Sequence, residues 1–92
     1  MPKYFEYKIG GYYLYYTTHC VVEAMHVHAS DRSLTEAGSA KFFVKSNGDI
    51  VVEKKGMLSD RDINKIRKFI KKFYKDMYIT WSAISDKGFY GE

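Results

Sequence analysis

Residues 58–77, LSDRDINKIRKFIKKFYKDM, contain the clearest structural signal in the 92-residue chain. Apolar residues recur there at spacings of three and four, which places them along one face of an α-helix. Ser59 is a favourable N-cap, and Asp62 stands three residues later, where it completes a capping box. The stretch predicts a long amphipathic helix from about residue 59 to residue 80. Its expected buried face consists of Leu58, Ile63, Ile66, Phe69, Ile70, Phe73 and Met77.

The segments before this helix are typical of β-strands, with β-branched and aromatic residues that often alternate with polar ones. Strands are predicted at residues 3–9, 12–16, 25–30, 40–45 and 50–54. Gly10-Gly11 joins the first two, and Asn47-Gly48 lies between the last two; both pairs favour tight hairpin turns. Strands followed by a helix define an α+β fold. We therefore expect an antiparallel sheet of four to five strands, with one long C-terminal helix packed on one face.

Length and composition indicate one small folded domain. Hydrophobic residues make up 46% of the chain and aromatic residues 17%, which is more than a disordered chain contains. We expect a single α+β domain over residues 1–84 and a polar, flexible tail over residues 85–92. Cys20, the one cysteine, cannot form an internal disulfide, which favours a reducing, cytoplasmic location. Because no apolar run approaches ~18 residues, no association with a membrane is expected.

The charge distribution favours an acidic partner. Fifteen lysines and arginines against eleven acidic residues give a formal net charge of +4. Basic residues recur along the predicted helix at spacings of four and three, and we call this set the basic stripe. It consists of Arg61, Lys65, Lys68, Lys72 and Lys75, with Arg67 and Lys71 beside it. Such a stripe suits binding to nucleic acid or to an acidic protein. The alternative is a lysine-rich helix face that only contacts water.

All three histidines lie within HCVVEAMHVH, residues 19–28. On a strand, His26 and His28 point to the same side, and His19 can fold back from the preceding loop. Three imidazoles suit a divalent metal such as zinc, with Glu23 as an oxygen ligand or a hydrogen-bond acceptor for a ligand. A histidine acting alone as general base is a second catalytic interpretation. The alternative is that the histidines are ordinary polar residues of a half-exposed strand.

The order of these motifs resembles the bacterial "domain of unknown function 4160" family. The resemblance depends on His19 followed by Glu23, on HVH at 26–28, and on AKFFVK at 40–45. It continues through GMLSDRDINKI to Trp81 and covers roughly residues 10–84. Ala24-Met25 stands where the family usually has two prolines, which puts the rigid entry to the strand in doubt. The resemblance implies a small bacterial protein in a mobile-element or toxin–antitoxin-like setting, with no established biochemistry and no established cofactor.

Two interpretations of function remain open at the level of the sequence. The first is a binding module for an acidic partner, either nucleic acid or a cognate small protein. The second is a metal- or histidine-dependent enzyme, such as a ribonuclease, that uses His19, His26 and His28. The aromatic run YYLYY at 12–16 adds the expectation of an interface on the sheet, either with a partner or with a second copy of the chain.

Overall fold

The computed structural model describes residues 3–17, 22–31 and 38–91. In this part of the chain it contains four strands and one helix: β1 (Tyr13–Tyr15), β2 (His26–Ser30), β3 (Ala40–Val44), β4 (Ile50–Lys54) and α1 (Asp60–Ser82). The strands form one sheet in the order β1-β2-β3-β4, and every neighbouring pair is antiparallel. The fold is therefore α+β, with an antiparallel sheet followed by one long C-terminal helix, as the sequence predicts.

The register of the sheet separates its two faces. Val27 lies opposite Phe42, which lies opposite Val52 in turn, so these three side chains share one face. Val27 and Phe42 belong to one hydrophobic cluster with α1 residues such as Ile70 and Met77. His26 lies opposite Phe43 on the other face. The hydrophobic core therefore lies between the helix and the face that carries Phe42, and the histidines lie on the far side of the sheet.

The capping box at the start of α1 is confirmed. Ser59 Oγ accepts a hydrogen bond from the Asp62 amide at 3.1 Å, and Asp62 Oδ2 accepts one from the Ser59 amide at 3.3 Å. The expected apolar face is mostly confirmed too, since Leu58, Ile66, Ile70 and Met77 are buried. The others, Ile63, Phe69 and Phe73, are half-buried. Within the described ranges no helix combines the length and the apolar character needed to cross a membrane.

The strand predicted at residues 3–9 is wrong. Ile9 and Tyr12 do form a bridge around Gly10-Gly11, and both glycines have positive φ, as the predicted turn requires. That register would place residue 6 opposite Tyr15, but the structure pairs Lys3 with Tyr15, three residues earlier. The intervening residues leave the ladder because Phe5 packs against the helix, where its ring lies 5.2 Å from that of Phe69 and 6.2 Å from that of Phe73.

The segment after α1 lies against the end of the sheet. The Trp81 indole donates to the carbonyl of Lys87 at 2.8 Å, and the Met25 amide donates to the carbonyl of Gly88 at 2.9 Å. The ring of Tyr90 stacks on that of Phe43 at 4.4 Å. These contacts place the C-terminal residues beside the start of β2, close to the histidine pair.

Candidate functional site

His26 and His28 project from the same face of β2, which confirms the prediction from strand alternation. Their ring centroids lie 5.2 Å apart, and the rings are almost perpendicular, at 88°. Both side chains are buried, with exposed fractions of 1% for His26 and 6% for His28. The third predicted member, His19, lies outside the described residues, as does Cys20. The structure thus brings two of the three histidines together.

Aromatic rings surround this pair. Tyr15 stacks on His28 at 5.4 Å, while Trp81 and Phe43 lie 5.6 Å and 5.7 Å from the His26 ring. Strand register explains the first contact, because Tyr15 is the β1 residue directly opposite His28. The sequence pattern did not indicate that Trp81, at the end of α1, reaches the same place. The pair therefore lies in an aromatic environment rather than on a half-exposed strand surface.

One hydrogen bond defines the tautomer of His26. Its Nδ1 lies 2.9 Å from the carbonyl oxygen of Ala24, which can only accept, so Nδ1 carries the hydrogen. A neutral imidazole then has its lone pair on Nε2. That atom lies 3.8 Å from Glu23 Oε2. The arrangement places an imidazole nitrogen and a carboxylate in the same small region, and both are groups that metals and protons bind.

Glu23 also forms an ion pair that was not among the features predicted from the sequence. Lys41 Nζ lies 2.8 Å from Glu23 Oε2, and this hydrogen bond lowers the pKa of the Glu23 carboxyl below its ordinary value. Lys41 lies opposite His28 in the ladder, so alternation in AKFFVK could have placed it on the histidine face. Within residues 3–17, 22–31 and 38–91, no three His, Cys, Asp or Glu side chains are grouped closely enough to hold a metal.

The basic stripe is exposed along α1. All five of its members are solvent-exposed: Arg61, Lys65, Lys68, Lys72 and Lys75. They occupy the side of the helix opposite the buried Ile66 and Ile70, because positions three and four apart share a face. The stripe is therefore an accessible cationic surface that spans most of the helix.

A groove between α1 and β4 adjoins this stripe, and no pattern in the sequence predicts it. One part has a volume of about 270 Å³ and is lined by Ile50, Val52, Ile63 and Arg67, among others. A second part of about 290 Å³ is lined by Asp49, Arg67, Lys68 and Lys71. Because Arg67 lines both, we treat them as one feature, the α1–β4 groove. Its floor is apolar and one end is basic.

The acidic residues of the groove already have internal partners. Asp49 Oδ1 lies 2.9 Å from Lys71 Nζ, and this hydrogen bond lowers the pKa of the Asp49 carboxyl. Asp60 Oδ1 lies 2.8 Å from Lys55 Nζ. The Arg67 guanidinium donates to the neutral Asn64 amide oxygen. Because the charges within each ion pair neutralise each other, the charges of the groove without an ion-pair partner among the described residues are those of Arg67 and Lys68.

Comparison with models of known families, with curated proteins and with solved structures finds no match to this chain. The resemblance to the "domain of unknown function 4160" family stays a hypothesis, together with the bacterial, mobile-element and toxin–antitoxin settings that it implies. Function is therefore inferred from the geometry of the histidine pair, the basic stripe and the groove.

Proposed function

We propose that this protein is a binding module for an acidic partner, and that α1 supplies the contact surface. The observation that supports this most is the position of Arg67 and Lys68, two cations that line a groove whose acidic members are already paired. Within the described part of the chain, no carboxylate forms an ion pair with either of them. Cations without an internal counter-ion are available to an external one.

The rest of the helix supports the same proposal. The basic stripe continues the cationic surface from the groove towards both ends of α1, and all its members are exposed. A solvated helix face would explain the stripe alone, but it would not explain why apolar Val52 remains 45% exposed beside it. Apolar surface flanked by unpaired cations is typical of a binding site.

Binding of anionic probes at two salt concentrations tests the proposal. We expect a glutamate-rich peptide or a single-stranded RNA to bind the wild-type protein, and the affinity to fall steeply between about 50 mM and 200 mM salt. The triple variant Lys65→Glu, Lys68→Glu and Lys72→Glu should lose this binding. Wild-type protein that shows no salt-sensitive binding to either probe would refute the proposal.

A matched control separates position from total charge. The control variant reverses three lysines outside α1 and outside the α1–β4 groove: Lys3→Glu, Lys8→Glu and Lys87→Glu. Each reversal changes the charge by two, so both triple variants go from +4 to −2. The control should keep most of the affinity. If both variants lose binding equally, the probes respond to net charge and not to the helix surface.

The histidine pair supports a second candidate, a histidine- or metal-dependent enzyme. The observation in its favour is that His26 Nε2 lies 3.8 Å from Glu23 Oε2 and that the His28 ring is in contact with His26. A zinc-like ion held there would use His26 and His28, with His19 as the remaining predicted ligand. Elemental analysis and a ribonuclease assay of purified protein test it. A stoichiometric metal that His26→Ala removes would support a metal site at the pair. Metal-free protein would exclude the metal-dependent form, and the absence of RNA cleavage would exclude a histidine-dependent ribonuclease.

A further inference from the structure

β4 is an edge strand of the four-stranded sheet. Only β3 pairs with it among the described segments. The Val44 amide donates to the carbonyl of Met25, on the β2 side, at 3.0 Å. The N–H and C=O groups of successive residues point to opposite sides of a strand, so those of Phe43, the residue before Val44, point towards β4. Phe43 lies opposite Val51, and these two residues are therefore hydrogen-bonded to each other between β3 and β4. Ile50 and Val52, on either side of Val51, therefore direct their amides and carbonyls away from β3, to the outer edge of the sheet.

The same two residues line the α1–β4 groove with their side chains. A strand that paired with this edge in the antiparallel direction would place the residues opposite Ile50 and Val52 on the α1 side of the sheet. Their side chains would extend over the groove, towards Arg67 and Lys68. The intervening residues would lie beside Val51 on the other face.

The charges of the groove determine which side chains such a strand should carry. Arg67 and Lys68 lack carboxylate partners among the described residues, so acidic side chains that reach the groove would form the missing ion pairs. Val51 is apolar and half-buried, so the alternate positions favour apolar residues. The complementary segment alternates acidic and apolar residues. A second copy of this chain does not fit as well, because pairing β4 with β4 would bring two copies of the same basic helix flank together.

We infer that the acidic partner is a polypeptide, an inference that rests on the proposed function. An extended segment of this polypeptide adds to the sheet as a strand beside β4. The backbone of Ile50 and Val52 supplies the hydrogen bonds of this addition. Arg67 and Lys68 supply its preference for acidic side chains. Strand addition of this kind gives affinity through the main chain and specificity through alternate side chains.

Backbone-modified peptides test the inference directly. The probe is a fluorescent eight-residue peptide that alternates glutamate and valine, and its affinity is measured by anisotropy. Two isomers carry N-methyl groups, one on the glutamate amides and the other on the valine amides, and their charge is identical. Antiparallel addition places the glutamate amides against β4, so the first isomer should bind about tenfold more weakly or worse, while the second should bind like the parent peptide. Equal affinity of the two isomers would overturn strand addition.

A variant of the protein tests the backbone contact independently. Val52→Pro removes the outward amide without removing a hydrogen bond to β3, and proline is tolerated at an edge strand. With the fold confirmed by circular dichroism, this variant should lose the same affinity for the parent peptide. The Val52→Ala variant, which keeps the amide, should lose less. Equal losses in the two variants would contradict a backbone contact at this position.

Two further outcomes separate this inference from the proposed function. If a single-stranded RNA of eight nucleotides binds and the peptide does not, the acidic partner is retained but its identification as a polypeptide is overturned. If neither probe binds, the proposed function itself fails. Sedimentation that detects a wild-type dimer which the Val52→Pro substitution converts to a monomer would assign the β4 edge to a second copy of the chain and overturn the inference.

Discussion

Ile70 tests whether α1 presents the correct face to the sheet. Its side chain is fully buried, and it belongs to the cluster that contains Phe42 and Val44 of β3. The substitution Ile70→Ala removes three carbon groups from this cluster. At ~0.8 kcal/mol for each buried group, the lost transfer free energy is about 2.4 kcal/mol. The cavity left behind increases this cost, so we expect a loss of about 3–4 kcal/mol in the free energy of unfolding.

The same helix offers a matched control. Ile79 is 70% exposed, and Ile79→Ala makes the identical chemical change without opening a cavity. Alanine has a higher helix propensity than isoleucine by a few tenths of a kcal/mol, and both variants gain this equally. Ile79→Ala should therefore stay within about 0.5 kcal/mol of the wild type.

Urea unfolding monitored through Trp81 measures both variants. Trp81 is the single tryptophan and is fully buried, so its fluorescence reports on the same cluster. A domain of 92 residues has a total stability of about 5–14 kcal/mol, so the expected loss for Ile70→Ala is a large shift in the unfolding midpoint. A loss below about 0.5 kcal/mol, or a loss no larger than that of Ile79→Ala, would show that the assigned face of the helix is wrong.

Three more predictions follow from particular contacts. Gly56→Ala should destabilise the protein by at least about 1–3 kcal/mol, because φ is +59° and the new Cβ would lie 2.6 Å from the Ser39 backbone. Thermal unfolding should show a smaller loss for Gly11→Ala, where φ is also positive but no atom lies within 4 Å. The hydrogen bond from Lys41 lowers the pKa of Glu23, so this pair stabilises the fold above the unfolded pKa and loses its effect as pH falls through the folded pKa. Glu23→Gln should therefore lower the urea midpoint at neutral pH and leave it unchanged in acid, and a loss that persists in acid would contradict this assignment. His26→Ala should release the Trp81 ring from its aromatic neighbour, and a near-ultraviolet circular dichroism spectrum identical to that of the wild type would contradict the 5.6 Å ring contact.

The helix and the paired strands were predictable because their signals are local. Ser59 and Asp62 are three residues apart, so the capping box is visible in the sequence and defines the start of α1. Asn47-Gly48 marks the β3–β4 hairpin in the same way, with Gly48 at a φ of +88°. Alternation alone places His26 and His28 on one face. Each of these features depends on neighbours within a few residues.

The remaining features depend on contacts between distant segments. Residues 3–9 alternate like a strand, but tertiary packing of Phe5 on Phe69 takes precedence over that local pattern. The α1–β4 groove needs the packing of two elements, and neither Val52 nor Arg67 has a sequence signal that identifies its neighbour. Trp81 reaches His26 across 55 positions for the same reason. Periodicity describes which face of an element is apolar, but it does not describe which elements meet.

The most direct test of acidic-partner binding by α1 is an amide chemical-shift map of the protein titrated with the glutamate–valine peptide. Binding in the α1–β4 groove predicts that the largest shift changes occur at Val52, Asn64 and Arg67, and that they shrink as salt rises. The opposite flank of the helix, where Phe73 packs on Phe5, should change little. Largest changes on that flank, or no changes with either the peptide at millimolar concentration or a single-stranded RNA, would contradict the proposed binding surface.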